Sequence, residues 1–135
     1  MLLSTELNAF RAEFMEKVPA AIRDAMTKAD LALAAGGITE RALKAGATAP
    51  DFILPDVHGN KVKLSTLLAK GPVVLSFYRG GWCPYCNLQL AALREIEPKL
   101  EALGYQLIAV TPDSPAAIQA SLKDTKGAAI TYTLL

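Results

Sequence analysis

The scarcities of this sequence narrow it first. Its 135 residues include only two cysteines, one histidine and one tryptophan. Two cysteines in a single C-x-x-C cannot build the disulfide framework of a small secreted domain. A structural zinc site takes about four Cys/His ligands, and this chain offers three, with His58 far from the cysteines. Fourteen basic and thirteen acidic residues leave a formal charge of +1. They are spread without blocks of like sign, so there is no electrostatic footprint for nucleic acid. No apolar run reaches the ~18 residues of a membrane span. The start, Met1-Leu2-Leu3-Ser4-Thr5-Glu6, lacks a basic leader followed by an apolar core, so no signal peptide is expected. Nucleotide-binding glycine motifs and Ser-His-Asp arrangements are also missing. The expectation is a protein without cofactor or metal, with no nucleic-acid or membrane partner, in a reducing, cytoplasmic setting.

What is there suits one domain with a proper core: 52% of the residues are hydrophobic and 20% charged. Residues 1–45 read as an N-terminal helical extension. Leu3, Leu7, Phe10 and Phe14 recur on one helical face, and Ile22, Met26, Ala29 and Leu33 continue a stripe on a second helix. Pro19 suits the first position of that second helix, and Gly36-Gly37 stop it. Residues 46–135 read as the main domain. Phe52-Ile53-Leu54 and Lys61-Val62-Lys63-Leu64 flank turn residues around His58, predicting a β-hairpin. Ser65 is placed as the N-cap of a short helix through Leu68.

From residue 72 the pattern is β-α-β-α-β. Strand 73–78 is apolar on both faces, as a covered central strand must be. The helix from about 84 to 103 carries Cys86, Leu90, Leu93, Ile96, Leu100 and Leu103 on one stripe, with a kink expected at Pro98. Strand 105–111 follows. Ser114-Pro115 then opens a helix to about Lys126, with Gly127 after it. Residues 130–135 are β-prone. The expected class is α/β, a mixed central sheet with helices on both faces and the hairpin at one edge. A sequence that stops inside an apolar strand is expected to be shortened at its C-terminus, because a bare edge is an aggregation liability.

The chemistry concentrates in Arg79-Gly80-Gly81-Trp82-Cys83-Pro84-Tyr85-Cys86. A C-x-x-C between a strand and a helix marks thiol/disulfide redox chemistry. A structural thiol pair or half a zinc site are the alternatives. The first turn of a helix carries unpaired N–H groups and partial positive charge, which favour a thiolate. Cys83 falls at that turn and is expected to be the more exposed sulfur. Cys86, one turn further on the apolar stripe, is expected to be the more buried one. Three residues apart, they share a face and close a small ring. Their neighbours carry two readings each. Arg79 either stabilises a thiolate or oxyanion or is a solvated surface arginine. Trp82 either walls a partner disulfide or packs at the domain edge. Tyr85, exposed by position, has a hydroxyl to donate.

Residues 46–114 resemble the alkyl hydroperoxide reductase / thiol-specific antioxidant branch of the peroxiredoxins, within the thioredoxin fold. The matching stretches are Ala49-Pro50-Asp51-Phe52-Ile53-Leu54-Pro55-Asp56, Val62-Lys63-Leu64-Ser65, Val73-Val74-Leu75-Ser76-Phe77-Tyr78 and Val110-Thr111-Pro112-Asp113-Ser114. The resemblance implies a thioredoxin-like fold. Peroxiredoxins show Pro-x-x-x-Thr-x-x-Cys after a Phe-Tyr strand end. Laying Phe77-Tyr78 there puts Arg79 at the proline, Cys83 at the threonine and Cys86 at the attacking cysteine. Laying Trp82-Cys83-Pro84-Tyr85-Cys86 on thioredoxin makes Cys83 the attacker instead. The family's active-site arginine and the thioredoxin cis-proline would both lie beyond Leu135.

Three functional expectations follow. The first is a thiol peroxidase: Cys86 attacks H2O2 or an organic hydroperoxide, Cys83 closes the disulfide, and a thioredoxin-like or glutathione-type reductant restores the pair. The second is a thiol–disulfide oxidoreductase with Cys83 as nucleophile and Cys86 as resolving thiol. The third is an inactive redox domain that pairs with another copy as a homodimer.

Overall fold

The computed structural model describes residues 2–124 and 133–135. The chain divides into two compact units, Met1–Pro50 and Asp51–Leu135. The first is helical: α1 (Leu3–Lys17), α2 (Ala20–Ala35) and a short α3 (Ile38–Arg41). Phe10 and Phe14, one turn apart, stack with ring centroids 6.4 Å apart, as the helical spacing requires. Pro19 sits one place earlier than expected, outside α2 with extended ψ of 145°. Gly37 turns the chain with φ +66° before α3. Neither α1 nor α2 buries a residue.

The second unit runs β1 (Ile53–Pro55), β2 (Lys61–Lys63), α4 (Leu64–Leu68), β3 (Val73–Phe77), α5 (Pro84–Ala102), β4 (Gln106–Val110), α6 (Pro115–Asp124) and β5 (Thr133–Leu134). The hairpin β1–β2 pairs antiparallel and forms its own two-stranded sheet. Its turn is held by Asp56, whose carboxylate accepts the backbone N–H groups of His58 and Asn60, each at 2.8 Å. Ser65 is not an N-cap. It lies inside α4, and its N–H goes to Asp51 Oδ1 at 2.9 Å, so the cap comes from the other side of the hairpin.

β3, β4 and β5 form a parallel sheet in that order. This corrects one expectation: among the described residues β3 is an edge, with Phe77 69% exposed, and β4 is central. Leu107, Ile108 and Ala109 are all buried, as a strand covered on both faces must be. Along α5 the stripe is shifted too. Ile96 and Leu103 are exposed, and Glu97 is buried in their place. α5 runs through Pro98 as one helix. Ser114 caps α6 as expected, its Oγ accepting the N–H of Ala117 at 3.3 Å. The expectations on Lys126, Gly127 and residues 130–132 lie outside the described residues. Among those that are described, no helix is long and apolar enough to cross a membrane.

The core joins Tyr78 at the end of β3, Cys83, Cys86 and Leu90 of α5 and its cap, Leu107 and Ala109 of β4, Ile118 of α6 and Leu134 of β5. Both cysteines therefore belong to the main core. The helix start that carries them is packed where β3 and β4 end, the side on which open α/β sheets place their sites.

Candidate active site

Cys83 is the N-cap of α5 and Pro84 its first residue. Proline costs nothing there, because the N–H it lacks would have no intrahelical partner. The usual capping oxygen is replaced by sulfur: Cys83 Sγ accepts the N–H of Cys86 at 3.4 Å. Two more donors reach the same atom. The Cys86 thiol lies 2.8 Å away, and Arg79 Nη2 lies 3.2 Å away. Both cysteines are free thiols. Cys86 Sγ in turn accepts the Arg79 backbone N–H at 3.5 Å.

Their exposure reverses the sequence expectation. Cys83 is fully buried and Cys86 is 7% exposed. Periodicity places Cys86 on the apolar stripe but says nothing of what lies over the cap. Here the exposed Arg79 crosses above Cys83, its guanidinium carbon 5.2 Å from the Trp82 ring centroid. Trp82 itself is exposed, so the pair forms a cation–π cover on the solvent side. Tyr85 is half-buried against the core rather than exposed.

The two thiols are pushed apart in acidity. Burial raises Cys83, but the hydrogen bonds from the Cys86 thiol and backbone, with the Arg79 guanidinium, outweigh it and hold Cys83 below an ordinary cysteine. Burial raises Cys86, and its hydrogen bond to Cys83 raises it further. Cys83 is thus the more acidic thiol of the pair, and Cys86 the less acidic one that donates to it. Close under them, burial pushes the Tyr78 phenol up to about 12, with Asp113 and Cys86 adding to the rise and a hydrogen bond with Thr111 opposing it.

Asn87, Asp113 and Ser121, which carry no role in the sequence analysis, complete the site around Gly81. Gly81 donates its N–H to Asp113 Oδ2 at 3.3 Å and accepts from Asn87 Nδ2 at 2.9 Å. A Cβ on Gly81 would lie 2.1 Å from the Cβ of Ser121 on α6. Two signals point to Asp113: its place in the family-matching stretch Val110-Thr111-Pro112-Asp113-Ser114 and its position in the turn after β4, beside the end of the neighbouring strand. Gly81→Ala is expected to cost about 3 kcal/mol, the upper end of overpacking penalties. It would appear as a lower urea midpoint with unchanged slope. Adding Ser121→Gly, which removes the clashing atom, should recover part of the loss.

A buried, acidity-split dithiol at a helix N-terminus, beside the ends of parallel strands, defines a thioredoxin-fold redox domain. More particularly, residues 45–135 match the AhpC/TSA family, and the chain belongs to that family. Over 71 residues it is 35% identical to the thiol-disulfide oxidoreductase ResA of Bacillus thuringiensis, a match covering 53% of this chain and 40% of that protein. The crystal structure of peroxidoxin BcpB from Mycobacterium tuberculosis is similar with a TM-score of 0.62 and 29% identity, over 70% of this chain and 59% of that one. Reduced 2-Cys peroxiredoxin of Plasmodium vivax gives a TM-score of 0.59 and 26% identity, over 67% and 60%. The chain spans less than two thirds of the length of each.

Proposed function

We propose that the domain is a thiol peroxidase in which Cys83 attacks first and Cys86 resolves. The observation that carries this is the convergence of three donors on the sulfur of Cys83. A thiolate is the nucleophile, and charge-assisted hydrogen bonds are what maintain it at neutral pH. The Cys83 sulfur attacks one peroxide oxygen, so that an S–O bond forms and the O–O bond breaks. The second oxygen leaves as hydroxide or alkoxide and takes a proton from solvent. Arg79 lies beside the atom from which the negative charge departs. Cys86 then loses its proton and attacks Cys83. The S–S bond forms and water leaves. The sulfurs are already 2.8 Å apart, so no helix need unwind. A thioredoxin-like or glutathione-type thiol supplies the two electrons that restore the pair. Cysteine usage suits a reducing, cytoplasmic setting.

Burial favours peroxide as the oxidant. A small electrophile reaches Cys83 once the guanidinium moves aside, whereas a protein disulfide must also displace Trp82. The second reading keeps the same residues and has Cys83 attack a disulfide. It is favoured by the lowered Cys83 thiol at the first position of the C-x-x-C and by the likeness to ResA. Rapid mixing of reduced protein with H2O2 or with hydroxyethyl disulfide, followed by Trp82 fluorescence, separates them. Oxidation by H2O2 should exceed that of free cysteine by about 100-fold or more. Peroxide oxidation no faster than free cysteine, with rapid reaction of the disulfide, would transfer the assignment to disulfide exchange.

A further inference from the structure

Between Arg79 and Cys83 lie three residues, Gly80-Gly81-Trp82. This short loop sets where the guanidinium and the sulfur stand relative to each other. It is held from several sides at once. The turn is closed by the Cys83 N–H on Gly80 O at 3.1 Å. Gly80 takes φ +143°, and a Cβ there would lie 2.6 Å from Asp113 Oδ2 and 2.5 Å from Trp82 Nε1. Both backbone polar groups of Gly81 are engaged by side chains, the N–H by Asp113 and the C=O by Asn87. Ser121 fills the space beside its α-carbon.

Asp113 stands 32 residues from Gly81 in sequence, in the turn between β4 and α6. It is tied to that turn by its own N–H, which donates to Thr111 Oγ1 at 3.3 Å. No ion pair to Asp113 forms among the described residues. Its acceptor oxygen is directed at a backbone N–H of the loop.

We propose that Asp113 is a positioning residue for the reaction of Cys83: it grips the Gly80–Gly81 loop so that Arg79 reaches the sulfur. Asn87 holds the same glycine from α5. The proposal deepens the reading of Cys83 as attacking thiolate and rests on it. The titratable and charged groups around the sulfurs are Tyr78 and Arg79 at the end of β3, Cys86 and Tyr85 on α5, and Asp113 in the β4–α6 turn. A carboxylate near a thiolate disfavours it by charge alone. Positioning and charge therefore predict opposite signs when Asp113 is changed.

The test uses Cys86→Ser protein, so that a single thiol titrates, followed by ultraviolet thiolate absorbance against pH. Asp113→Ala should move the Cys83 titration up by about one unit, as loss of a nearby cation would. Oxidation by H2O2 near neutral pH should then slow about tenfold, with the thiolate fraction. Asp113→Asn keeps an acceptor oxygen and should recover most of both changes. Asn87→Ala should shift the titration in the same direction, and serves as the second variant if Asp113→Ala does not fold. A titration that stays in place while only the urea midpoint falls would reduce Asp113 to a structural role. A downward shift in both Asp113 variants would make its charge the dominant effect and overturn the proposal. If wild-type oxidation by H2O2 proves slow while the titration shifts persist, the peroxidase reading falls and the role of Asp113 stands.

Discussion

Cys83→Ser is expected to lower the rate of oxidation by H2O2 by about 10³-fold or more, because a serine hydroxyl does not ionise at neutral pH and the attacking group is lost outright. Cys86→Ser should behave differently. Its hydroxyl still has a proton to donate to Cys83, so the first step should stay within about tenfold of wild type. The product should be a sulfenic acid on Cys83 that persists for want of a resolving thiol. Rapid-mixing fluorescence gives the rates, and dimedone labelling with mass spectrometry locates the sulfenic acid. Both outcomes follow from the asymmetry of the pair. Cys83 accepts from three donors and is held low, whereas Cys86 donates a hydrogen bond to Cys83, keeps its proton and is held high. The reverse result, with sulfenic acid trapped on Cys86 in Cys83→Ser, would assign the attack to Cys86. That is the assignment implied by laying Phe77-Tyr78 on the peroxiredoxin strand end.

Arg79→Ala carries the second large effect. The guanidinium is 3.2 Å from the Cys83 sulfur and favours the charged form, so its removal must raise the Cys83 titration. A shift of about one to two units is expected for loss of an opposite charge at this range. Below the new pKa each unit lowers the thiolate fraction tenfold. The oxidation rate near neutral pH should therefore fall about 10- to 100-fold. At a pH above the raised value the deficit from ionisation should vanish, and any remainder measures the help Arg79 gives to the departing oxygen. Arg79→Lys restores the charge but not the planar stacking on Trp82, so partial recovery is expected. A pH–rate profile of the three proteins decides it. Superimposable profiles would show that the contact has no bearing on reactivity.

Several parts of this arrangement are legible in the sequence because their causes are local. The C-x-x-C after an apolar β-branched run places a dithiol at a helix start, and Pro84 is well tolerated as the first helical residue. Ser114-Pro115 announces a capped helix, and α6 begins at Pro115. Asp56 and Gly59 bend the hairpin by contacts within four residues of each other. Other features do not follow from the sequence because their causes are not local. Ser65 looks like a cap in its own segment, yet Asp51 reaches it from fourteen residues away. Ile96 and Leu103 fit the helical period of α5, but the sheet meets α5 on a slightly rotated face that buries Glu97 instead.

The sequence by itself determined the chemistry: two thiols at the spacing of one helical turn, at the N-terminus of a helix, with an arginine and a tryptophan close by. Tertiary structure alone decided which sulfur is the more deeply buried, which is the more acidic and what lies over it. Cys83 is covered because β3 delivers Arg79 and Trp82 above the helix start. The loop between them is fixed by Asp113 and Ser121, more than thirty residues away. Helical and strand periods encode only which way a side chain points from its own element. Burial and ionisation depend on what the rest of the fold brings against it.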